Sequence, residues 1–177
     1  MKFTRIAIGV LSGSMMLLAG CAATQTANNG GAADTQAAPV MKLSEHQHQV
    51  ANGDIQEETK SLTDLPTFLL NQDPKIIKAY KVAAANKDLI SQMPCYCGCG
   101  GSAGHMSNLS CFIHEVKSDG TVVWDDHGTR CDTCMNIAVT SANLKEAGKS
   151  VLEIRNIIDG KYKEGYAQPT PTPMPTT

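Results

Sequence analysis

Met93-Pro94-Cys95-Tyr96-Cys97-Gly98-Cys99-Gly100-Gly101 is the stretch on which the reading of this chain turns. Three cysteines alternate with other residues, and the glycines free the backbone to bend sharply. Pro94 ends whatever helix precedes it, so the run is expected to form a loop that continues to about residue 110. Cys-x-Cys sets two sulfurs on one side of an extended segment, a natural bite for an ion. Downstream, Cys111, Cys131 and Cys134 complete six cysteines within 40 residues, with His105, His114 and His127 between them. These nine side chains are the candidate metal ligands. Thiolate sets suit Cu(I) or Zn(II), and imidazole suits both.

Cys131-x-x-Cys134 supplies a second bite, at the expected start of a helix. There the dipole and the unpaired amides favour thiolate, the form that binds metal. Nine ligands exceed one tetrahedral site, so two metals are expected, or one metal beside one or more disulfides. Two other chemistries fit the same residues. Bridges within the alternating triplet would close strained rings, so three disulfides would join Cys95, Cys97 and Cys99 to Cys111, Cys131 and Cys134. The result would be a stapled interaction module. Cys131 and Cys134 also qualify as the redox pair of a thiol-disulfide oxidoreductase, although no βαβ pattern surrounds them. No Ser-His-Asp arrangement, phosphate loop or carboxylate pair is recognisable, which favours a binding protein over an enzyme.

Working outward, Asp73-Pro74 is a helix start with a capping side chain and Pro at the first position. Ile76, Ile77, Tyr80, Ala83 and Ala84, then Leu89 and Ile90, follow with helical spacing, and a break is expected near Asn86. A short helix carrying Leu65, Phe68, Leu69 and Leu70 is expected before it. Two β-prone runs, 112–116 and 121–124, flank Lys117-Ser118-Asp119-Gly120 and predict a hairpin with Trp124 in its core. Asp125 and Asp126 beside His127 suit either an orienting role or solvated turn positions. Met93 and Met106 fit gap-filling packing. A helix from Cys131 ends at Gly148, and Ser150 with Glu153 forms a capping box for a last helix bearing Ile154, Ile157, Ile158 and Tyr162.

The N-terminus has its own logic. Lys2 and Arg5 precede an apolar run over residues 6–18, which ends in Leu18-Ala19-Gly20-Cys21. The run is short for a membrane span and has signal-peptide flanks. Residues 1–20 are therefore expected to be a lipoprotein signal peptide. Cys21 is the expected lipidation site, carrying a diacylglycerol and acyl chains such as palmitate. This places the protein on the extracytoplasmic face of the cell membrane, held by its lipid anchor. Residues 21–61, rich in Ala, Gln, Thr, Asn and Gly, are expected to be a flexible tether, with His46 and His48 a solvated pair. Residues 62–166 form the expected cysteine-rich domain. Residues 167–177, with Pro-Thr alternation, are an expected disordered tail.

The predicted fold class is mainly α: a small helical domain with one β-hairpin and a Cys/Gly-rich loop. The formal net charge is −2, and no basic patch points to nucleic acid. The expected partners are the membrane and a metal donor or acceptor protein.

The run Pro94-Cys95-Tyr96-Cys97-Gly98-Cys99 resembles the PCYCGC-motif lipoproteins of bacteria. Leu65-Pro66, Tyr80, Gly104-His105, Cys111-Phe112, Trp124-Asp125, His127-Gly128, Cys131-x-x-Cys134, Ile154-Arg155, Asp159 and Tyr162 extend the likeness over about residues 62–166. The resemblance implies a lipoprotein or secreted context and no settled activity. Residues 131–162 are also similar, over a short stretch, to the small helical thiol-reductase subunit of cytochrome c maturation, which implies a dithiol role for Cys131 and Cys134.

Overall fold

The computed structural model describes residues 42–176. The expected signal peptide, Cys21 and the first half of the expected tether lie outside the described residues. No helix among those described is long and apolar enough to cross a membrane.

Among the described residues, five helices and a four-stranded antiparallel sheet share one core. The helices are α1 (Pro74–Ala85), α2 (Lys87–Ile90), α3 (Cys99–Ser102), α4 (Asp132–Glu146) and α5 (Val151–Tyr162). The strands are β1 (Gln47–Gln49), β2 (Ile55–Thr59), β3 (Ile113–Val116) and β4 (Val122–Asp125), in the spatial order β1-β2-β4-β3. The fold is therefore mixed α/β, and the mainly-α expectation is corrected. The expected hairpin is present as β3–β4, but β2 pairs with the other edge of β4, aligning Glu57 with Trp124.

The correction comes from residues 47–59, within the stretch expected to be a flexible tether. Strand β2 reads Ile-Gln-Glu-Glu-Thr and shows no apolar alternation. It is held by polar complementarity instead. The buried Glu57 carboxylate accepts from Thr67 N at 2.6 Å, Phe68 N at 3.3 Å, Thr67 Oγ1 at 3.0 Å and Gln47 Nε2 at 2.7 Å. Gln56 donates to Asp125 Oδ2 at 3.0 Å, and Ile55 N donates to Asp126 Oδ1 at 2.8 Å. A buried polar group is tolerable when it is paired in this way.

The disordered-tail expectation is corrected for the same kind of reason. Beyond α5 the chain is extended, yet Thr170 and Thr172 are buried. Arg155, itself buried, donates to the carbonyls of Thr172 at 3.1 Å and Pro173 at 2.9 Å.

The helical expectations fare better. Asp73 caps α1 through Lys75 N at 2.8 Å, and the helix breaks at Asn86. The short helix expected before it is one 3-10 turn, Thr67–Leu69, beneath the Glu57 carboxylate. Gly148 stops α4 at φ +82°, and the Ser150–Glu153 capping box opens α5. Trp124 is fully buried and donates to Thr59 Oγ1 at 2.8 Å. Tyr80 stacks edge-on against Phe112 at 5.1 Å and donates to the Asp125 carbonyl at 2.7 Å. That bond ties α1 to the end of β4, next to His127.

Candidate metal centre

Three segments bring the sulfurs together. The first is the motif loop. Gly98 adopts φ +90°, a left-handed turn that glycine takes without strain, and it separates Cys97 from the single helical turn α3 beginning at Cys99. The second is the 3-10 turn Leu109–Cys111, which enters β3. The third is the N-terminus of α4, where Cys131 is the cap and its Sγ accepts from Cys134 N at 3.3 Å. A close approach locks the second and third together. A Cβ on Gly128 would lie 2.8 Å from the Cys111 carbonyl and from the Phe112 ring.

Tyr96 seats the motif loop on α5. Its hydroxyl donates to Asp159 Oδ1 at 2.7 Å, and its ring stacks on Tyr162 at 5.5 Å. The tail closes the other side. Thr170 N donates to the Cys95 carbonyl at 3.0 Å, and Cys95 N donates to Thr170 Oγ1 at 2.9 Å.

The six thiols are all free and form one continuous cluster. Cys95 Sγ lies 3.1 Å from Cys97, 3.3 Å from Cys134 and 3.8 Å from Cys111. Cys134 Sγ lies 3.1 Å from Cys111 and 3.6 Å from Cys97, and Cys111 lies 3.7 Å from Cys99. Three separate disulfides would give each sulfur one close partner. Here Cys95, Cys111 and Cys134 each have three. Sulfurs bound to one tetrahedral zinc at about 2.3 Å stand about 3.8 Å apart, close to the upper end of these separations.

Of the three candidate histidines, two join the cluster. His105 is buried, with Nδ1 3.4 Å from Cys111 Sγ. His127 points Nε2 toward Cys97 Sγ at 4.0 Å, and the two imidazoles meet edge to face at 4.8 Å. His114 is exposed on β3, where it lines a cavity of 660 Å³ together with His105, Met106 and Asp125, and belongs to none of the converging ligand groups. His46 and His48 are exposed, as expected of a solvated pair. Met93 is core and Met106 is exposed.

Sequence reasoning missed Asp54. Its buried carboxylate lies 3.0 Å from His127 Nδ1, and it also accepts from Arg130 and from Asn52 Nδ2 at 2.7 Å. Arg130 reaches on to Asp126 at 2.7 Å. A carboxylate on one ring nitrogen fixes the tautomer and leaves the other nitrogen facing the sulfurs. Asp125 and Asp126 are buried structural acceptors rather than solvated turn residues. Asp125 Oδ1 receives His127 N at 3.0 Å.

The electrostatics follow from crowding. Hydrogen bonds from Cys111 and Cys134 hold the Cys95 thiol down at about 4. The Cys97 thiol is held well below its ordinary range by Cys111, Cys131 and Cys134. Cys134 is pushed up by its contacts with Cys111, Cys131, Cys95 and Cys97. Two sulfurs thus carry charge while a buried neighbour keeps its proton. His127 is raised to about 9 by its hydrogen bond with Cys97, against desolvation and with help from Asp54. Burial lowers His105.

Fold and site together define a cysteine-rich α/β protein whose clustered Cys and His side chains are able to hold metal. The family model described as "Protein of unknown function with PCYCGC motif" matches residues 10–175, and the chain belongs to that family. No curated protein and no solved structure matches the chain.

Proposed function

We propose that this protein is a membrane-anchored extracytoplasmic lipoprotein that binds copper or zinc through its clustered Cys and His side chains, for capture, storage or delivery. The single observation that supports the metal reading is the mutual approach of the six thiols, several within 3.8 Å of two or three others. The His127–Asp54 pair matches the carboxylate–histidine–metal arrangement that raises ligand basicity and holds the ring. Catalysis is not part of the proposal. Cys134 is fully buried beneath its neighbours, a poor position for exchange with a protein disulfide.

In the mechanism proposed, metal arrives at Cys97 and Cys131, the two partly exposed cysteines, and passes inward to Cys95, Cys111 and Cys134. Binding displaces thiol protons and the Nε2 proton of His127, so affinity rises with pH until those groups are deprotonated. A donor or acceptor protein would exchange metal through the same exposed sulfurs.

Elemental analysis and thiol counting on one sample of natively purified protein test this reading. Stoichiometric copper or zinc, with six thiols recovered under denaturing conditions, is the expected result. Metal-free protein with the six thiols oxidised would refute it. The anchor has a separate test. Cys21→Ser is expected to abolish incorporation of labelled palmitate and release the protein from membranes. Unchanged membrane retention and labelling would rule out lipidation at Cys21.

A further inference from the structure

We infer that the cluster is built to hold four copper(I) ions as one thiolate-bridged cage, rather than one or two independent ions. The inference rests on the metal-binding reading and concerns how many ions the sulfurs share, and which.

The ligand atoms fall into four sulfur-containing groups, each with its members within 4.8 Å of one another: Cys95, Cys97 and Cys99; Cys95, Cys111 and Cys134; Cys97, Cys131 and Cys134; and Cys99, Cys111, His105 and His127. The pattern of sharing is the informative part. Cys95 belongs to the first and second groups, Cys97 to the first and third, and Cys99 to the first and fourth. Cys134 belongs to the second and third, and Cys111 to the second and fourth. No cysteine is shared twice by the same pair of groups. Five of the six links that connect four points pairwise are therefore present. The missing link joins the third group to the fourth. Cys131 is the one cysteine found in a single group, and the fourth group has two imidazoles in place of a third sulfur.

Five sulfurs linking four centres pairwise, with Cys131 completing the third face and imidazole the fourth, form a cage with an ion on each of four faces. A thiolate has lone pairs enough to bridge two ions. Each ion then sits among three sulfurs, or among two sulfurs and imidazole at the fourth face. Soft thiolate selects copper(I), which accepts three-coordination, whereas structural zinc is almost always four-coordinate. Three of the four groups offer only three ligands. An iron–sulfur cluster would need inorganic sulfide between the cysteine ligands, and sulfurs 3.1–3.8 Å apart leave no room for it. Six thiolates and four monovalent ions leave two negative charges. The N-terminus of α4 lies against them, and Cys134 N already donates to Cys131 Sγ.

Anaerobic titration of the reduced full chain with copper(I), read by native mass spectrometry, decides the matter. The expected spectrum contains metal-free and four-copper protein with little in between. X-ray absorption of the product should show three-coordinate copper with a copper–copper distance. Saturation at one or two ions, stepwise independent filling, or preferential retention of zinc would overturn the cage while leaving metal binding intact. Failure to bind either metal would overturn both. The double variant His105→Ala/His127→Ala is expected to fill to three ions with the other faces unchanged. If it still fills to four, the fourth face is misassigned and the cage as drawn fails.

Discussion

The two sides of this molecule are buried by different means. On the helical side, α1, α4 and α5 turn Ile76, Tyr80, Ile137, Ala138, Ile154 and Ile158 inward, and the contacts are apolar. On the sheet-and-tail side, β2 and residues 167–173 lie against the core through Gln56, Glu57, Thr170, Thr172 and Arg155, and the contacts are hydrogen bonds. Apolar burial is non-directional and tolerates small rearrangement, whereas paired polar burial fixes geometry within tenths of an ångström. The Cys/His cluster lies where the two meet. The helical side supplies Cys131 and Cys134, and the polar side places Asp54 behind His127 and Thr170 around Cys95.

The contrast can be broken most forcefully on the apolar side. Ile137 is fully buried, and Ile137→Ala is expected to cost about 2–5 kcal/mol through lost transfer energy and a cavity. Urea unfolding of the metal-free protein measures it. On the polar side, Glu57→Ala orphans the backbone amides of Thr67 and Phe68 and is expected to cost about 1–3 kcal/mol. If Glu57→Ala proves neutral, polar pairing does not hold β2, and the comparison collapses.

A smaller effect sharpens the comparison at the junction. The folded-state pKa of His127 is raised from 6.5 to about 9, so its contribution to metal-free stability is fully present below pH 6.5. That contribution is lost as pH rises through about 9. Cys95, held at about 4, works in the opposite direction, gaining stability as pH rises from there toward its unfolded value. The informative quantity is therefore the difference between wild type and His127→Gln. It is expected to shrink between pH 6.5 and 9, by on the order of 1 kcal/mol once solvent screening of the partly exposed ring is allowed for. A pH-independent difference would show that His127 is not held as a cation by Cys97 and Asp54. A fourth effect, on affinity and not on the fold, is expected from Asp54→Asn. It should lower metal affinity about 10–100-fold, as measured by competition against a chelator.

The same division explains what was legible from sequence. The α1 start at Asp73-Pro74, the break at Asn86, the β3–β4 hairpin and the Ser150 box all write themselves in apolar period, capping residues or turn residues. So did the six sulfurs and two of the three histidines, because thiol and imidazole are rare enough to stand out. Strand β2 did not, since Gln56 and Glu57 look like solvent-facing residues until their partners, about 10 and 69 positions away, are known. One local signal was available. Asn52-Gly53 is a hairpin turn, Gly53 adopts φ +89°, and recognising it would have drawn β1, β2 and Asp54 out of the tether. Pro-Thr alternation in the tail correctly suggested extension. What holds it is Arg155, one turn into α5, which no local pattern reveals.

Thr170 brackets Cys95 from 75 positions downstream. Synthesis runs from the N-terminus, so all six cysteines are in the chain before Thr170 is added, and until then one wall of the thiol pocket is missing. A chain cut short before Thr170 would keep every sulfur and lose the two hydrogen bonds that clasp the motif loop at Cys95.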